Sequence, residues 1–188
     1  RTVIQMQRLN EMLLQLFREA ILIGDTKQDP EPINRRFQVS NGYLEITNPS
    51  IFARYPLAML EMILIMQQRP DIRGVRASTI RLVRAHRHLI DKNFQNDIRA
   101  RALFIEIFRF NHGLTHALRR MHRYGILARY LTAFDCIVGL MQFDLFHVYT
   151  VDEHILMVVR NMRRFALEKH AEECPRCNEV FSRLPKPE

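Results

Sequence analysis

The stretch PLAMLEMILIMQQ, residues 56–68, decides the fold that the sequence predicts. Pro56 suits the start of a helix, because the N–H that proline lacks is one that a helix start leaves without a partner. Pro70 cannot continue a helix and ends the segment. Apolar residues lie on almost every side of this helix, so we expect it to be buried at the centre of the protein.

Most other long segments carry the apolar repeat of a helix, and they supply the cover that a central helix needs. The first predicted helix runs from Val3 to Ile23 and ends at Gly24-Asp25. Others start near Ser78 and at Asn96-Asp97. The predicted fold class is therefore all-α, a multi-helix bundle. The stripe of the first helix that we expect to be buried consists of Leu9, Met12, Leu13, Leu16, Phe17 and Ala20.

One segment, FQVSNGYLEI at residues 37–46, breaks the helical pattern. Two short β-prone runs flank Asn41-Gly42, a dipeptide typical of a type I′ turn because both central residues need positive φ. The sequence therefore predicts at most one short β-hairpin, near residues 37–46, in an otherwise helical protein.

Composition predicts a globular, cytoplasmic protein. With 188 residues, 47% of them apolar, the chain can bury a real core as one domain or one and a half. It has no run of about 18 uncharged apolar residues, so no membrane contact is expected. Three cysteines do not suit a disulfide framework and fit a reducing compartment, and Cys136 is expected to be buried. Because the chain starts inside a helical pattern and stops at RLPKPE, we expect a piece of a longer protein.

The net charge of +8 suggests an anionic partner such as nucleic acid, a nucleotide or an acidic protein. The 28 basic residues form no block of five or more, however, and a solvated basic surface is favoured. The densest group is Arg119, Arg120 and Arg123 on one predicted helix, with His116 and Tyr124 interleaved. Guanidinium groups suit phosphate recognition, so the three arginines are candidates for a nucleotide contact or a domain interface. A solvated helix face is the open alternative.

The motifs of common enzyme classes are missing from the sequence. It has no glycine-rich phosphate loop, no G-x-S-x-G elbow and no H-E-x-x-H, so no complete active site is predicted. HAEECPRC offers His170, Cys174 and Cys177, and C-x-x-C is the half-site spacing of a structural zinc. The second half-site is absent, so two ordinary thiols are the favoured interpretation, and the role of the two cysteines stays open.

The stretch HVYTVDEHIL, residues 147–156, contains a predicted helix start with two nearby histidines. Thr150 and Glu153 have the spacing of a capping box, which places His154 in the first helical turn. Apolar residues recur on one helical face from Ile155 onwards, and His154 lies at the edge of that face, so we expect it to point inward. From spacing alone, a hydrogen-bonded core histidine is favoured over a metal ligand.

Three stretches together resemble a known family. They are residues 115–160, THALRRMHRYGILARYLTAFDCIVGLMQFDLFHVYTVDEHILMVVR, residues 9–22, LNEMLLQLFREAIL, and residues 37–46. They resemble the bacterial bifunctional uridylyltransferase/uridylyl-removing enzymes that act on the nitrogen-signalling protein PII, over residues 1–165. In that family a nucleotidyltransferase domain is followed by a helical region, an HD hydrolase domain and two ACT domains. The resemblance implies that residues 1–140 are the helical region and residues 141–188 an incomplete N-terminal part of the HD domain.

The resemblance also implies a role for His154. HD domains use a histidine near a helix start, a later His-Asp pair and a distant aspartate to hold a divalent metal that activates water for phosphoester hydrolysis. VDEHILMVVR matches the first element, so His154 is implied as a metal ligand and His147 as a structural or supporting residue. No His-Asp dipeptide occurs in the chain, however. We therefore expect Mg²⁺ or Mn²⁺ in the longer enzyme, but no tightly bound metal and no activity in this chain alone.

The activity that the resemblance implies is the transfer of UMP from UTP to a tyrosine of PII and its hydrolytic removal, in response to glutamine. The implied partners are PII, UTP and glutamine, and nucleic acid is not expected. Two alternatives stay open. One is the neck of a CCA-adding or poly(A) polymerase, which has a comparable arginine-rich pattern beside an HD domain. The other is a non-catalytic helical module that binds nucleic acid or protein through its basic faces.

Overall fold

The computed structural model describes residues 2–23, 29–110, 112–141, 149–167 and 170–184. The chain divides into two compact units, Arg1–Cys136 and Ile137–Glu188. Helices dominate the described residues, which confirms the predicted fold class.

The described elements begin with helix α1, Thr2–Ile23. The strands are β1 (Glu31–Pro32), β2 (Phe37–Ser40), β3 (Tyr43–Ile46) and β4 (Gly74–Val75). The helices after α1 are α2 (Ile51–Arg54), α3 (Ala58–Gln68), α4 (Ala77–His86), α5 (Lys92–Asn96), α6 (Ile98–Arg109), α7 (Leu114–Tyr124), α8 (Ile126–Tyr130) and α9 (Thr132–Ile137). A 3₁₀ turn, Arg87–Leu89, joins α4 to α5, and the second unit contains α10 (Val151–Phe165) and α11 (Pro175–Ser182).

Helix α3 forms the centre of the first unit, as its sequence predicts. It packs against both α6 and α7. Burying a large apolar side chain completely stabilises a fold by about 1.5–3 kcal/mol, so this helix contributes a large part of the driving force for folding. Its buried residues are Ala58, Met59, Leu60, Met62, Ile63, Ile65, Met66 and Gln67.

The charged residue of α3, Glu61, connects this helix to the segment before the hairpin. Arg36 donates two hydrogen bonds to the Glu61 carboxylate, from Nε at 2.7 Å and from Nη2 at 2.8 Å. Asn34 donates a third at 3.0 Å. These bonds to Glu61 raise the pKa of Arg36 above its ordinary value. A forked pair of this kind fixes direction as well as distance, so it orients the hairpin on the helix.

The predicted hairpin is confirmed, but the sheet around it is larger than predicted. Strands β2 and β3 pair antiparallel, and the turn residues Asn41 and Gly42 have φ values of 52° and 79°. Strand β1 pairs antiparallel with β2 and β4 pairs parallel with β3, so the described sheet has four strands. Strands of two residues are too short to show an alternating pattern, which is why the sequence does not predict β1 and β4.

Helix α1 begins at Thr2, one residue before the predicted start, and ends at the predicted Ile23, but the prediction of a buried stripe is wrong. Leu9, Leu13 and Phe17 are 52%, 45% and 64% exposed, and Ala20 is also exposed. Met12 and Leu16 are half-buried. An apolar repeat shows which face a helix can bury but not which element covers it. No helix among the described residues combines the length and the apolar character needed to cross a membrane.

Cys136 is exposed, so the expectation that it is buried is wrong. The neighbouring Phe134 is buried instead and packs edge-on against the His122 ring, with ring centroids 5.4 Å apart. On a helix, residues two apart point to different sides, and the aromatic ring takes the inner position.

Gly125 supports a prediction about stability. It ends α7 and starts α8 with φ +79°, and a Cβ atom there would lie 2.7 Å from Nη1 of Arg87. Gly125→Ala should therefore lower the free energy of unfolding by about 1–2 kcal/mol, because an L side chain is strained in the left-handed region. Urea denaturation measures this change.

Gly74→Ala is the matched control for Gly125→Ala. Its φ is not in the left-handed region, and its Cβ would make an ordinary contact, 3.5 Å from Cε1 of Tyr43. The control should change the free energy of unfolding by less than about 0.5 kcal/mol. Equal losses in the two variants would contradict the role given to Gly125.

Candidate functional site

A cavity of about 410 Å³ in the first unit gathers four arginines. Arg73 lies just before β4, Arg84 on α4, and Arg120 and Arg123 on α7. The cavity is thus built by segments far apart in the sequence. Its position at the edge of the sheet, beside α1, α4 and α7, makes it the candidate functional site of the first unit.

The sheet edge positions one wall of the cavity. Arg73 donates its backbone N–H to the Gly42 carbonyl at 2.9 Å, which holds Arg73 beside the hairpin turn. The Arg73 side chain passes close to Gly42, where a Cβ atom would lie 3.4 Å from its Cδ. The Tyr43 ring lies against Gly74, with Cε1 3.5 Å from the position of a Cβ there. The tight turn favours Asn41-Gly42, and because Gly42 has no Cβ atom it also leaves room for the Arg73 side chain.

The helices position the other arginines. Arg84 donates from Nη2 to the backbone carbonyl of Arg123 at 3.5 Å, and its Nη1 lies 3.7 Å from Sδ of Met12. Both contacts are long, so each of them is weak by itself. Tyr124 is buried at the C-terminal end of α7 and completes this side of the cavity.

Helix α1 contributes a third wall through Met12, Leu14 and Gln15. Gln15 donates from Nε2 to the backbone carbonyl of Val75, at the edge of the sheet. This hydrogen bond links α1 to β4 and gives the helix a fixed contact with the cavity, although most of its apolar stripe is exposed.

The cavity is strongly basic. Its described lining residues include no aspartate or glutamate. Two other arginines of the first unit form ion pairs, Arg69 with Asp71 at 2.8 Å and Arg99 with Asp97 at 2.7 Å. Four arginine side chains around one concave space favour a positive potential there, which suits an anionic group.

The structure separates the three arginines that the sequence singled out. Arg120 and Arg123 line the cavity, whereas Arg119 does not. Sequence analysis missed Arg73 and Arg84 as their companions. No local pattern relates these positions, because only the tertiary fold brings the hairpin, α4 and α7 together.

His154 is exposed, so the expectation that it points inward is wrong. It lies in the first turn of α10, as predicted, but Asp152 and Leu156 take the buried positions. Ile155 and Val158, which share the side of His154, are each 40% exposed. An apolar repeat shows which residues of α10 can be buried, and the described part of the second unit covers Leu156 but not Ile155 or Val158.

The start of α10 differs from the predicted capping box. Thr150 is the N-cap residue, but within the described residues its side chain makes no capping hydrogen bond. Asp152 is fully buried instead, and its Oδ1 accepts a hydrogen bond from the Gly139 N–H at 3.2 Å. A carboxylate in the first turn also suits the positive end of the helix dipole. His147 lies outside the described residues.

The thiols and His170 lie around the start of α11. Cys174 and Cys177 are exposed, and Cys174 is the N-cap residue of α11. His170 Nδ1 lies 2.8 Å from the Glu173 carboxylate, and this hydrogen bond lowers the pKa of Glu173. Among the residues that the structure describes, no three histidines, cysteines or acids are grouped as metal ligands.

Comparison with known proteins gives one family match and several close relatives. Residues 37–130 match the family model "Uridylyltransferase GlnD third domain". Relatives from Nitrosococcus oceani, Methylococcus capsulatus and Pseudomonas syringae are 58%, 56% and 50% identical over all 188 residues. Each is named "Bifunctional uridylyltransferase/uridylyl-removing enzyme", and the chain spans 21% of the length of each. No solved structure matches the chain.

The buried carboxylate of Asp152 supports a second stability prediction. Asp152→Ala should lower the free energy of unfolding of the second unit by about 1–3 kcal/mol, because it removes the acceptor of the Gly139 N–H. Asp152→Asn should recover part of this loss, since its amide oxygen can still accept. Amide hydrogen exchange along α10 measures the change.

Asp135→Ala removes an acid from an exposed position and serves as the control for Asp152→Ala. It should leave exchange in α10 unchanged. If Asp152→Ala also left exchange there unchanged, the anchoring role of Asp152 would be wrong.

Proposed function

The chain belongs to the uridylyltransferase GlnD third-domain family, and from this premise we propose that it works within a bifunctional enzyme of nitrogen signalling. That enzyme transfers UMP from UTP to a tyrosine of PII and removes it again by hydrolysis, in response to glutamine. The observation that carries the proposal is the 48–58% identity, along all 188 residues, to relatives with the bifunctional name. Because that identity spans both compact units, it supports one role for the whole chain.

We assign residues 1–140 to the helical region of such an enzyme and residues 141–188 to the start of its HD hydrolase domain. The division of the chain into compact units after Cys136 supports a boundary near residue 140. The family match at residues 37–130 lies wholly within the first unit. In this assignment the first unit is a scaffold, and Arg119, Arg120 and Arg123 are its candidates for contact with a nucleotide or a neighbouring domain.

His154 is our candidate for one ligand of the divalent metal, Mg²⁺ or Mn²⁺, that serves the removal of UMP. The residue is exposed in the first turn of α10. The exposed apolar residues beside it, Ile155, Val158 and Met162, form a strip that a larger domain can cover. The described residues hold no group of three candidate ligands, so they do not form a metal site by themselves. The assignment therefore requires at least two ligands from outside them.

A hybrid enzyme tests the proposed function. Replacing the matching region of the Nitrosococcus oceani relative by this chain should preserve both transfer and removal of UMP, because the two sequences are 58% identical there. In the hybrid, His154→Ala should lower the rate of UMP removal by more than about tenfold. Mutating even a residue that only hydrogen-bonds to a metal ligand often lowers activity or metal affinity by about this factor. Transfer should be unchanged. Assaying both reactions with UTP and PII measures the effect.

His88→Ala, which also replaces an exposed histidine, is the control for His154→Ala in the hybrid. It should leave both reactions unchanged. Equal loss of transfer and removal in His154→Ala would indicate a structural role for His154, and normal removal would exclude the proposed ligand role. A hybrid that folds but catalyses neither reaction would contradict the proposed function.

Metal binding by this chain alone supplies an independent prediction. One imidazole is not a metal site, so the 188-residue chain should not be saturated by millimolar Mn²⁺. Electron paramagnetic resonance of free Mn²⁺ measures the binding. Tight binding that His154→Ala abolishes would contradict the incomplete site and require ligands within the chain.

A further inference from the structure

We propose that Cys174 and Cys177 form a reversible dithiol–disulfide pair, a site of thiol–disulfide exchange with small disulfides such as glutathione disulfide. Both cysteines are exposed free thiols, and they lie at the start of α11 in the second unit. This inference does not rest on the proposed function, because it uses only the local structure around the two thiols.

The helix start brings the two side chains to the same side of the chain. Cys174 is the N-cap residue of α11 and Pro175 is the first helical residue, so Cys177 is the third. The N-cap and third positions are the two whose side chains meet in a capping box. Residues three apart on a helix have Cβ atoms about 5–6 Å apart, whereas a disulfide requires about 3.5–4.5 Å. A small local adjustment is therefore enough to join the two sulfur atoms.

The Cys174 side chain is not used to cap the helix. Within the described residues it makes no capping hydrogen bond, and its backbone is not helical, with φ −143° and ψ 68°. The backbone carbonyl of Cys174 accepts the Asn178 N–H at 3.0 Å. The start of α11 thus depends on the backbone of Cys174 and leaves its sulfur free to react.

Hydrogen bonds hold this helix start against the end of α10. Asn178 donates from Nδ2 to the Phe165 carbonyl at 2.8 Å. Arg164 donates to the Glu173 carboxylate, and His170 Nδ1 lies 2.8 Å from the same carboxylate. Two thiols carried by anchored segments meet without a bimolecular encounter, so closure of the pair is favoured over reaction with a second molecule.

Exposure favours reaction in both directions. Buried structural cysteines are inert, whereas accessible ones beside basic groups react with disulfides in solution. Cys174 lines a cavity of about 200 Å³ whose lining also includes Arg164 and His170. Exposed disulfides are in turn the more easily reduced ones. The bond between Cys174 and Cys177 should therefore form and break again instead of being a permanent cross-link.

The exchange consists of two displacements at sulfur. The thiolate of one cysteine attacks glutathione disulfide, so a protein–glutathione S–S bond forms, the original S–S bond breaks, and one glutathione leaves and takes up a proton. The other cysteine loses its proton to solvent and attacks the protein sulfur of this mixed disulfide. The Cys174–Cys177 bond forms and the second glutathione leaves. The two protein thiols are oxidised, and one glutathione disulfide is reduced to two glutathione thiols.

A zinc site is the alternative use of two thiols at this spacing. A structural zinc takes four ligands, and no group of three candidate ligands occurs in the part of the chain that the structure describes. His170 already faces the Glu173 carboxylate. Two thiols without this further support favour exchange over metal binding.

Thiol mapping of the 188-residue chain by mass spectrometry tests the proposal. After incubation of the reduced chain with glutathione disulfide and alkylation of the remaining thiols, Cys174 should be joined to Cys177, and excess reduced glutathione should restore both thiols. A disulfide between Cys136 and either of them would overturn the proposal, and so would glutathione left on both. Added Zn²⁺ should not prevent closure, and one bound Zn²⁺ per chain that blocks it would also overturn the proposal.

Single variants separate closure from ordinary thiol reactivity. In Cys177→Ser, glutathione should remain on Cys174 at a level at least about tenfold above that in the unaltered chain, because no neighbouring thiol displaces it. Cys136→Ser, which replaces the exposed cysteine outside the pair, is the matched control and should leave closure unchanged. Circular dichroism shows that each variant is folded. Equal levels of glutathione on Cys174 in Cys177→Ser and in the unaltered chain would overturn the proposal.

Discussion

The complete burial of α3 is the constraint on which the rest of the first unit depends. A helix that is apolar on nearly all sides is stable only if other elements cover each side, and here α2, α6 and α7 pack against it. The polar residue near its end, Gln67, is buried as well. Its Nε2 donates to the carbonyls of Ile107 and His112, at 3.1 and 2.9 Å. These bonds fix the connection between α6 and α7, and thereby the start of the helix that carries Arg120 and Arg123.

Helix α3 also positions the wall of the cavity that the sheet forms. Glu61 holds Arg36 and Asn34, which precede β2, and the hairpin then places Tyr43 at the start of β3. The parallel strand β4 follows directly from the end of α3 and brings Arg73 back to the turn. The two ends of one buried helix therefore set the separation between the basic groups of α7 and those at the sheet edge.

The sequence predicts features whose cause is local and misses those whose cause is tertiary. The burial of α3 follows from its own apolar residues, and the hairpin follows from the positive φ that Asn41-Gly42 tolerates. The sequence predicted a buried stripe on α1 and an inward His154, and both are exposed. These predictions were wrong because an apolar repeat does not identify the surface that covers it. The cavity arginines were found only in part, since Arg73 and Arg84 meet α7 through the fold alone.

Helix α1 forms one wall of the cavity, and the hydrogen bond from Gln15 to the Val75 carbonyl connects it to the sheet edge. A displacement of α1 would therefore change the shape of the cavity. The apolar stripe of the same helix also presents Leu9, Leu13 and Phe17 to solvent. A partner that binds these exposed residues would restrain α1, the helix that also places Met12 and Gln15 in the cavity wall. By thermodynamic reciprocity, a cavity occupant that favours one position of α1 must change the affinity of the exposed face by the same factor. Two surfaces that share no residue are thus mechanically joined by one helix.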